Sequence, residues 1–208
     1  MKKIITLFLL TISVSIFSQS KYDTGMQKAF ELWGAKKNDQ ASQLFERIAK
    51  AEQNEWLPSY YVATIEILGS FGLKDEAKLN SKLKRAQEFL DIAKSISPKN
   101  PEIIINQALL NTAYIAFDGQ KYGMTLSGKN AVLYNEALKL APKNPRVILG
   151  KAEWDMGSAK FFGQPIDPYC KDVEKALALF EKEELPKYYP KYGKERAEEI
   201  LKNCNQSK

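Results

Sequence analysis

The strongest constraint on the fold is a short phrase that occurs twice. Ser97-Pro98-Lys99-Asn100-Pro101 and Ala141-Pro142-Lys143-Asn144-Pro145 differ at one position and stand 44 residues apart. The same period places Ala63, Ala108 and Ala152 in register, each the seventh residue of a unit that begins at Leu57, Glu102 or Arg146. Recurrence at a fixed period marks a repeat architecture in which each copy is one supersecondary unit. Upstream of Pro98 and Pro142 run LKRAQEFLDIAKSI and NAVLYNEALKLA. Phe89, Leu90, Ile92, Ala93 and Ile96 in the first, and Leu133, Tyr134, Ala137 and Leu138 in the second, keep the three-and-four spacing of a helix. Proline lacks the backbone donor that a helix interior needs, and it pushes the residue before it, Asn100 or Asn144, out of the helical region. Each phrase therefore predicts a corner between two helices. New apolar runs, EIIINQALLNTAYIAF and RVILGKAEWDMGSAKFF, start directly after the corners, and Tyr60 to Leu68 holds the same place one unit earlier.

The second helices carry a finer pattern of small, then aromatic or large, then small residues before a corner. Ala41 and Phe45 with Asn54 show it first, then Ala86, Leu90, Ala93 and Pro98, then Asn130, Tyr134, Ala137 and Pro142. This arrangement resembles the tetratricopeptide repeat, a two-helix unit of 34 residues. The first helices depart from that motif, lacking its tryptophan and glycine and keeping only the seventh-position alanines. Against the 34-residue unit, the later copies also carry roughly ten extra residues, in GSFGLKDEAKLN, DGQKYGMTLSGK and GSAKFFGQPIDPY. The resemblance implies an all-α, right-handed α-solenoid of about four helix-turn-helix units with long intra-repeat inserts and a C-terminal capping helix. The expected pairs are 23–37 with 41–51, 58–68 with 76–96, 102–116 with 130–140 and 146–160 with 168–184, capped by 194–203. A two-helix unit cannot bury its apolar face alone, so stacking of neighbours supplies the core.

The first twenty residues read differently. Lys2 and Lys3 precede an apolar run from Ile4 to Phe17, followed by the small residues Ser18 and Ser20, the order of a secretory signal peptide. Its apolar stretch is shorter than the roughly 18–20 residues that anchor a chain across a bilayer. Residues 1–20 are thus expected to be a removable leader, cut after Ser20 or after Ser18, and 21–208 a single helical repeat domain. The product is expected outside the cytoplasm, periplasmic or secreted, with no transmembrane anchor.

Composition narrows the chemistry. The 208 residues include no histidine, which removes imidazole bases, Ser-His and Cys-His pairs and most zinc and haem sites. The formal charge is +6, of which Lys2 and Lys3 supply two, and lysines and glutamates intermix along the chain as on solvated helix faces. That distribution argues against nucleic acid as a partner. Phosphate-loop and calcium-loop spacings are missing, and Glu153, Asp155 and Asp167 form no catalytic motif. Acid pairs of the glycosidase kind form in space rather than by spacing, but helix-surface carboxylates usually only solvate, and Glu153 and Asp155 point to different sides of a helix. The chain is expected to be non-enzymatic, with no cofactor and no metal.

What remains is binding. In such solenoids the leading helices line the concave face, which would place Tyr61, Ile65, Asn106, Leu110 and Trp154 in a groove suited to a protein or peptide partner. The same side chains also suit plain packing between helices. An alternative reading is an envelope enzyme or carbohydrate-binding protein, its site built by the inserts and lined by Phe117, Tyr122, Phe161, Phe162 and Tyr169. Self-association through the groove is a third. The stretch Lys187-Tyr188-Tyr189-Pro190-Lys191-Tyr192-Gly193-Lys194 interleaves cations with tyrosines, as sugar-, base- or membrane-contacting segments do. It also reads as the turn before the capping helix, its tyrosines covering the open end of the core. Cys170 and Cys204, the only cysteines, lie on helices that can run antiparallel, so their thiols either bridge or stay free.

Overall fold

Each corner phrase solves two problems at a helix start. In the computed structural model, which describes residues 21–206, Asn100 and Asn144 have extended backbones and are N-caps. The Asn100 side chain accepts a hydrogen bond from the Glu102 amide, and that of Asn144 accepts from the Arg146 and Val147 amides. Pro101 and Pro145 occupy the first helical turn, where a missing N–H costs nothing. The chain thus runs through α1 (residues 21–34), α2 (Asn38–Ala51), α3 (Trp56–Leu68), α4 (Glu76–Ile96), α5 (Pro101–Phe117), α6 (Gly119–Leu140), α7 (Pro145–Phe161), α8 (Asp167–Phe180) and α9 (Lys194–Gln206). Successive helices pack as hairpins, α3 on α4, α5 on α6 and α7 on α8. The leading helices α3, α5 and α7 also touch one another, and α9 closes the array against α8. The fold is an all-α solenoid of tetratricopeptide-like units. The expected leader, residues 1–20, lies outside the described residues.

The repeat landmarks are the packing seams. Ala63, Ala108 and Ala152 are buried where leading helices approach closely, and so are Ala41, Ala86, Ala93 and Ala137 on the second helices. Phe45, Leu90 and Tyr134 fill the space between them. Asn130, which stands where the motif has a small residue, is fully buried and satisfied. Its amide donates to the Ala108 carbonyl and Thr112 Oγ1, and its oxygen accepts from Asn111.

Two expectations change. The middle insert is a helical extension rather than a loop, whereas residues 69–75 and 162–166 of the other two are non-helical. Asp118 caps α6 by accepting from the Lys121 amide, and α6 starts at Gly119 instead of Asn130. Its first turn is held on α4, where the Tyr122 hydroxyl donates to Glu76 at 2.7 Å and Lys121 pairs with the same carboxylate. The glycines that suggested a loop, Gly119, Gly123 and Gly128, sit where a Cβ would meet only open space, so the helix runs through them. The other change is at α8, which ends at Phe180 rather than Glu184. The following residues, 181–193, leave the solenoid surface as a non-helical strap.

Cys170 of α8 and Cys204 of α9, on the two helices that flank the strap, are joined by a disulfide, with 6.2 Å between their Cα atoms. Buried Val173, Ala176, Ala197 and Ile200 pack beside it. In the chain-entropy account a bridge across 34 residues contributes about 3–4 kcal/mol. A Cys170→Ala, Cys204→Ala chain should lose stability of that order in urea unfolding, with amide exchange rising first in α9.

Candidate functional site

The concave face is built from rings. On α1, Phe30 and Trp33 pack together, and on α3, Tyr60 and Tyr61 follow one another. Phe30 meets the Tyr61 ring edge-on at 4.7 Å, and Tyr61 stacks on Phe45 of α2 at 5.2 Å. Edge-on and offset geometries suit the ring quadrupoles, adding to the area that each ring buries.

The strap lies over these rings. Tyr188 stacks on Phe30 at 5.8 Å and meets Tyr22 edge-on, although some 165 residues separate it from α1. Tyr61 donates its hydroxyl proton to the Tyr188 carbonyl at 2.7 Å. The Tyr188 hydroxyl in turn donates to the Asp23 carbonyl at 3.0 Å, and Lys187 pairs with the Asp23 carboxylate at 3.0 Å. Tyr189 packs on Trp56, and the Tyr192 hydroxyl turns inward to bond that of Tyr60 although its ring is half-exposed. The tyrosines therefore do not cover the open C-terminal end of the core. Pro186, Pro190 and the left-handed backbone of Tyr188 (φ 61°) turn the strap back over the first two units.

Between the strap and the inner helices remains a cavity of about 480 Å³. Its walls are Phe30, Trp33, Tyr60 and Tyr61 on one side and Tyr189 to Tyr192 on the other. Burial pushes the hydroxyls of Tyr60, Tyr61 and Tyr192 well above the ordinary phenol range, so these groups stay protonated. Among the described residues, Lys191 is the one cation of the lining. Tyr189 also walls a second cavity, of about 410 Å³, bordered by Lys143, Arg146, Lys182 and Glu183.

Arg146 anchors the root of the strap. Its side chain is 1% exposed, its Nε donates to Glu102 at 2.9 Å, and its two terminal nitrogens donate to the two oxygens of Glu183 at 2.7 Å. Tyr189 covers the guanidinium at 5.8 Å. Glu102 Oε1 also accepts from the Asn144 amide at 2.6 Å, while Oε2 is buried with no hydrogen-bond partner. Burial raises the Glu102 carboxyl, against the opposing pull of Arg146 and Asn144.

Four of the five residues expected to face a groove are buried: Tyr61, Ile65, Asn106 and Leu110. Asn106 donates to Thr64 Oγ1 at 2.8 Å, tying α5 to α3. Only Trp154 is partly exposed, stacked on Tyr134. The insert aromatics do not converge. Phe117 and Tyr169 pack on two different core clusters, Tyr122 pairs with Tyr114, and Phe161 and Phe162 form an exposed edge-on pair. Sequence reasoning missed Phe30, Trp33 and Tyr60 as wall residues. The helical spacing of Phe30 and Trp33 was the available signal. No group of three or more acidic or cysteine side chains poised for a metal occurs among the described residues, and no helix there is long and apolar enough to cross a membrane.

A tetratricopeptide-like solenoid whose inner face is partly covered, over its first two units, by its own C-terminal strap is the class that fold and site define. No protein-family model matches the chain, and no curated protein matches it. Among solved structures, the chain is similar to the HusA haemophore from Porphyromonas gingivalis, with a TM-score of 0.77 and 23% identity over 89% of this chain and 92% of that one. A thermophilic tetratricopeptide protein of Thermus thermophilus also aligns over 89% of this chain and 99% of its own, at 14% identity and a TM-score of 0.43. The first likeness concerns the fold.

Two outcomes follow from this geometry. A Cβ on Gly193, whose φ is +107°, would lie 2.8 Å from Phe180 Cζ and 3.1 Å from Leu149 Cδ2. Gly193→Ala should therefore cost about 1–3 kcal/mol in denaturant unfolding, while Gly119→Ala should be neutral or slightly stabilising. Because the fold raises the Glu102 carboxyl above its ordinary 4.5, the folded chain keeps a proton that the unfolded chain has released. Stability from this group thus falls as pH rises above 4.5. Glu102→Gln should flatten that slope in urea unfolding followed from acid to neutral pH.

Proposed function

We propose that this chain is an exported, non-enzymatic binding protein whose concave cavity holds a flat, apolar ligand of the tetrapyrrole class. The observation that carries the reading is the cavity of about 480 Å³ walled by Phe30, Trp33, Tyr60, Tyr61, Tyr189 and Tyr192. Its volume falls within the roughly 300–1,000 Å³ of small-molecule sites, and the partly exposed rings of Phe30, Trp33, Tyr189 and Tyr192, backed by the buried Tyr60 and Tyr61, suit a planar guest. The fold shared with a protein described as a haemophore supports the same class. Export is supported by the leader-like first twenty residues and by the Cys170–Cys204 bridge, which belongs to oxidising compartments.

The way of holding the ligand follows from the residues. With no histidine in the chain and the wall tyrosines kept protonated by burial, ring stacking rather than an axial bond supplies the affinity. Lys191 at the rim is placed to meet a ligand carboxylate.

A second reading is capture of a protein or peptide segment, with Tyr61 and Trp154 among the contacts. One observation favours it: the concave face already holds an extended stretch of chain, with Tyr61 donating to the Tyr188 carbonyl.

Titration with iron protoporphyrin and with metal-free protoporphyrin, read by tryptophan quenching, tests the first reading. The two affinities should agree within about threefold, and Trp33→Ala should weaken both about tenfold. Binding of neither compound would sink the tetrapyrrole reading and leave the peptide one.

A further inference from the structure

We infer that residues 186–192, the tip of the strap, are a lid over the concave cavity, which lifts about the root held by Arg146 and Glu183 to admit the ligand; the inference deepens the reading of that cavity as a ligand site. The strap has the build of an Ω-loop, a surface loop of about 6–16 residues with its ends together. At its base, Lys194 pairs with Glu181 at 2.6 Å, and the helices on either side, α8 and α9, are joined by the Cys170–Cys204 disulfide. Its tip, by contrast, is held on the first two units by non-covalent contacts alone: the polar contacts of Lys187 and Tyr188, the packing of Tyr188 on Phe30 and Tyr22 and of Tyr189 on Trp56, and the Tyr192 hydroxyl on that of Tyr60. Tip and base therefore differ in kind. The base is covalently braced, whereas the tip is a set of contacts that can be broken without unfolding a helix.

Two further observations point the same way. Tyr188 is an aromatic residue at φ 61°, an uncommon conformation for a bulky side chain, and it stands at the tip, where the strap turns. Tyr189 is the partition between the cavities of about 480 and 410 Å³, so lifting the tip also joins them into one longer trough. With the tip down the cavity is partly open, and lifting the tip widens access to the Phe30 and Trp33 rings from the solvent side. Closure over the bound guest then returns Tyr189 to Tyr192 as its second wall.

Stitching the lid down tests this. In the full chain, Asp23→Cys and Lys187→Cys replace the tip ion pair, and a short bismaleimide joins the two thiols. The same variant capped with N-ethylmaleimide is the control. Association of metal-free protoporphyrin, read by quenching of Trp33 and Trp56, should be slower in the stitched protein by about tenfold or more. Tyr188→Ala should speed association several-fold and raise deuterium exchange at residues 186–192, while α8 and α9 keep their protection. Equal association rates in stitched and capped protein would overturn the lid. If no form binds porphyrin, the ligand reading fails and exchange alone decides about the lid. It stands if amides 186–192 exchange about tenfold or more faster than α3 and stitching removes the difference, and it falls if they exchange only together with α3.

Discussion

One guanidinium joins parts of the chain that the repeat by itself would leave independent. Arg146 opens α7, yet its three donors reach Glu102 at the start of α5 and Glu183 at the root of the strap. Desolvating such a charge is costly, and only the surrounding acceptors repay it. Removing either acid would therefore leave a buried charge short of its counterpart. The third unit, the fourth unit and the strap are held in one mutual placement by this node. That placement determines where Tyr189 lies, and hence where one cavity ends and the other begins.

The helices and their order were legible because their signals are local. Asn100 with Pro101, and Asn144 with Pro145, carry a cap and a first turn in adjacent residues, and Ala63, Ala108 and Ala152 announce close helix approach through their common period. The early start of α6 was hidden. Gly119, Gly123 and Gly128 look like loop punctuation, and only the contacts of Tyr122 and Lys121 with Glu76, some 45 residues away, show why a helix persists there. The concave site was hidden for a similar reason. Helical phase placed Tyr61, Ile65, Asn106 and Leu110 on the inner side, but nothing local says that Tyr188 returns to cover Tyr61 across 127 residues. A contact of that separation has no period and no spacing rule to betray it.

The lack of histidine looked at first like an argument against any haem-class ligand. In the reading proposed above, the question moves from coordination to stacking. Phe30, Trp33, Tyr60 and Tyr61 come from two neighbouring leading helices, so one turn of the solenoid assembles a wall that no single helix could present. The curvature of a solenoid creates an extended concave surface of the kind that takes partners. Here the chain has placed its own segment on that surface, which narrows part of it to a half-open cavity.

The disulfide has a mechanical meaning. Cys170 and Cys204 enclose the strap in a covalent ring, while the strap's tip touches the opposite end of the molecule. Tension applied at the C-terminus passes from Cys204 straight to Cys170 and into α7 through the α8 packing. The intervening residues, with the strap among them, stay slack. A pull on the tail, whether from a tethered surface or from a protease feeding on the end of the chain, would load the solenoid and leave the cavity's cover in place.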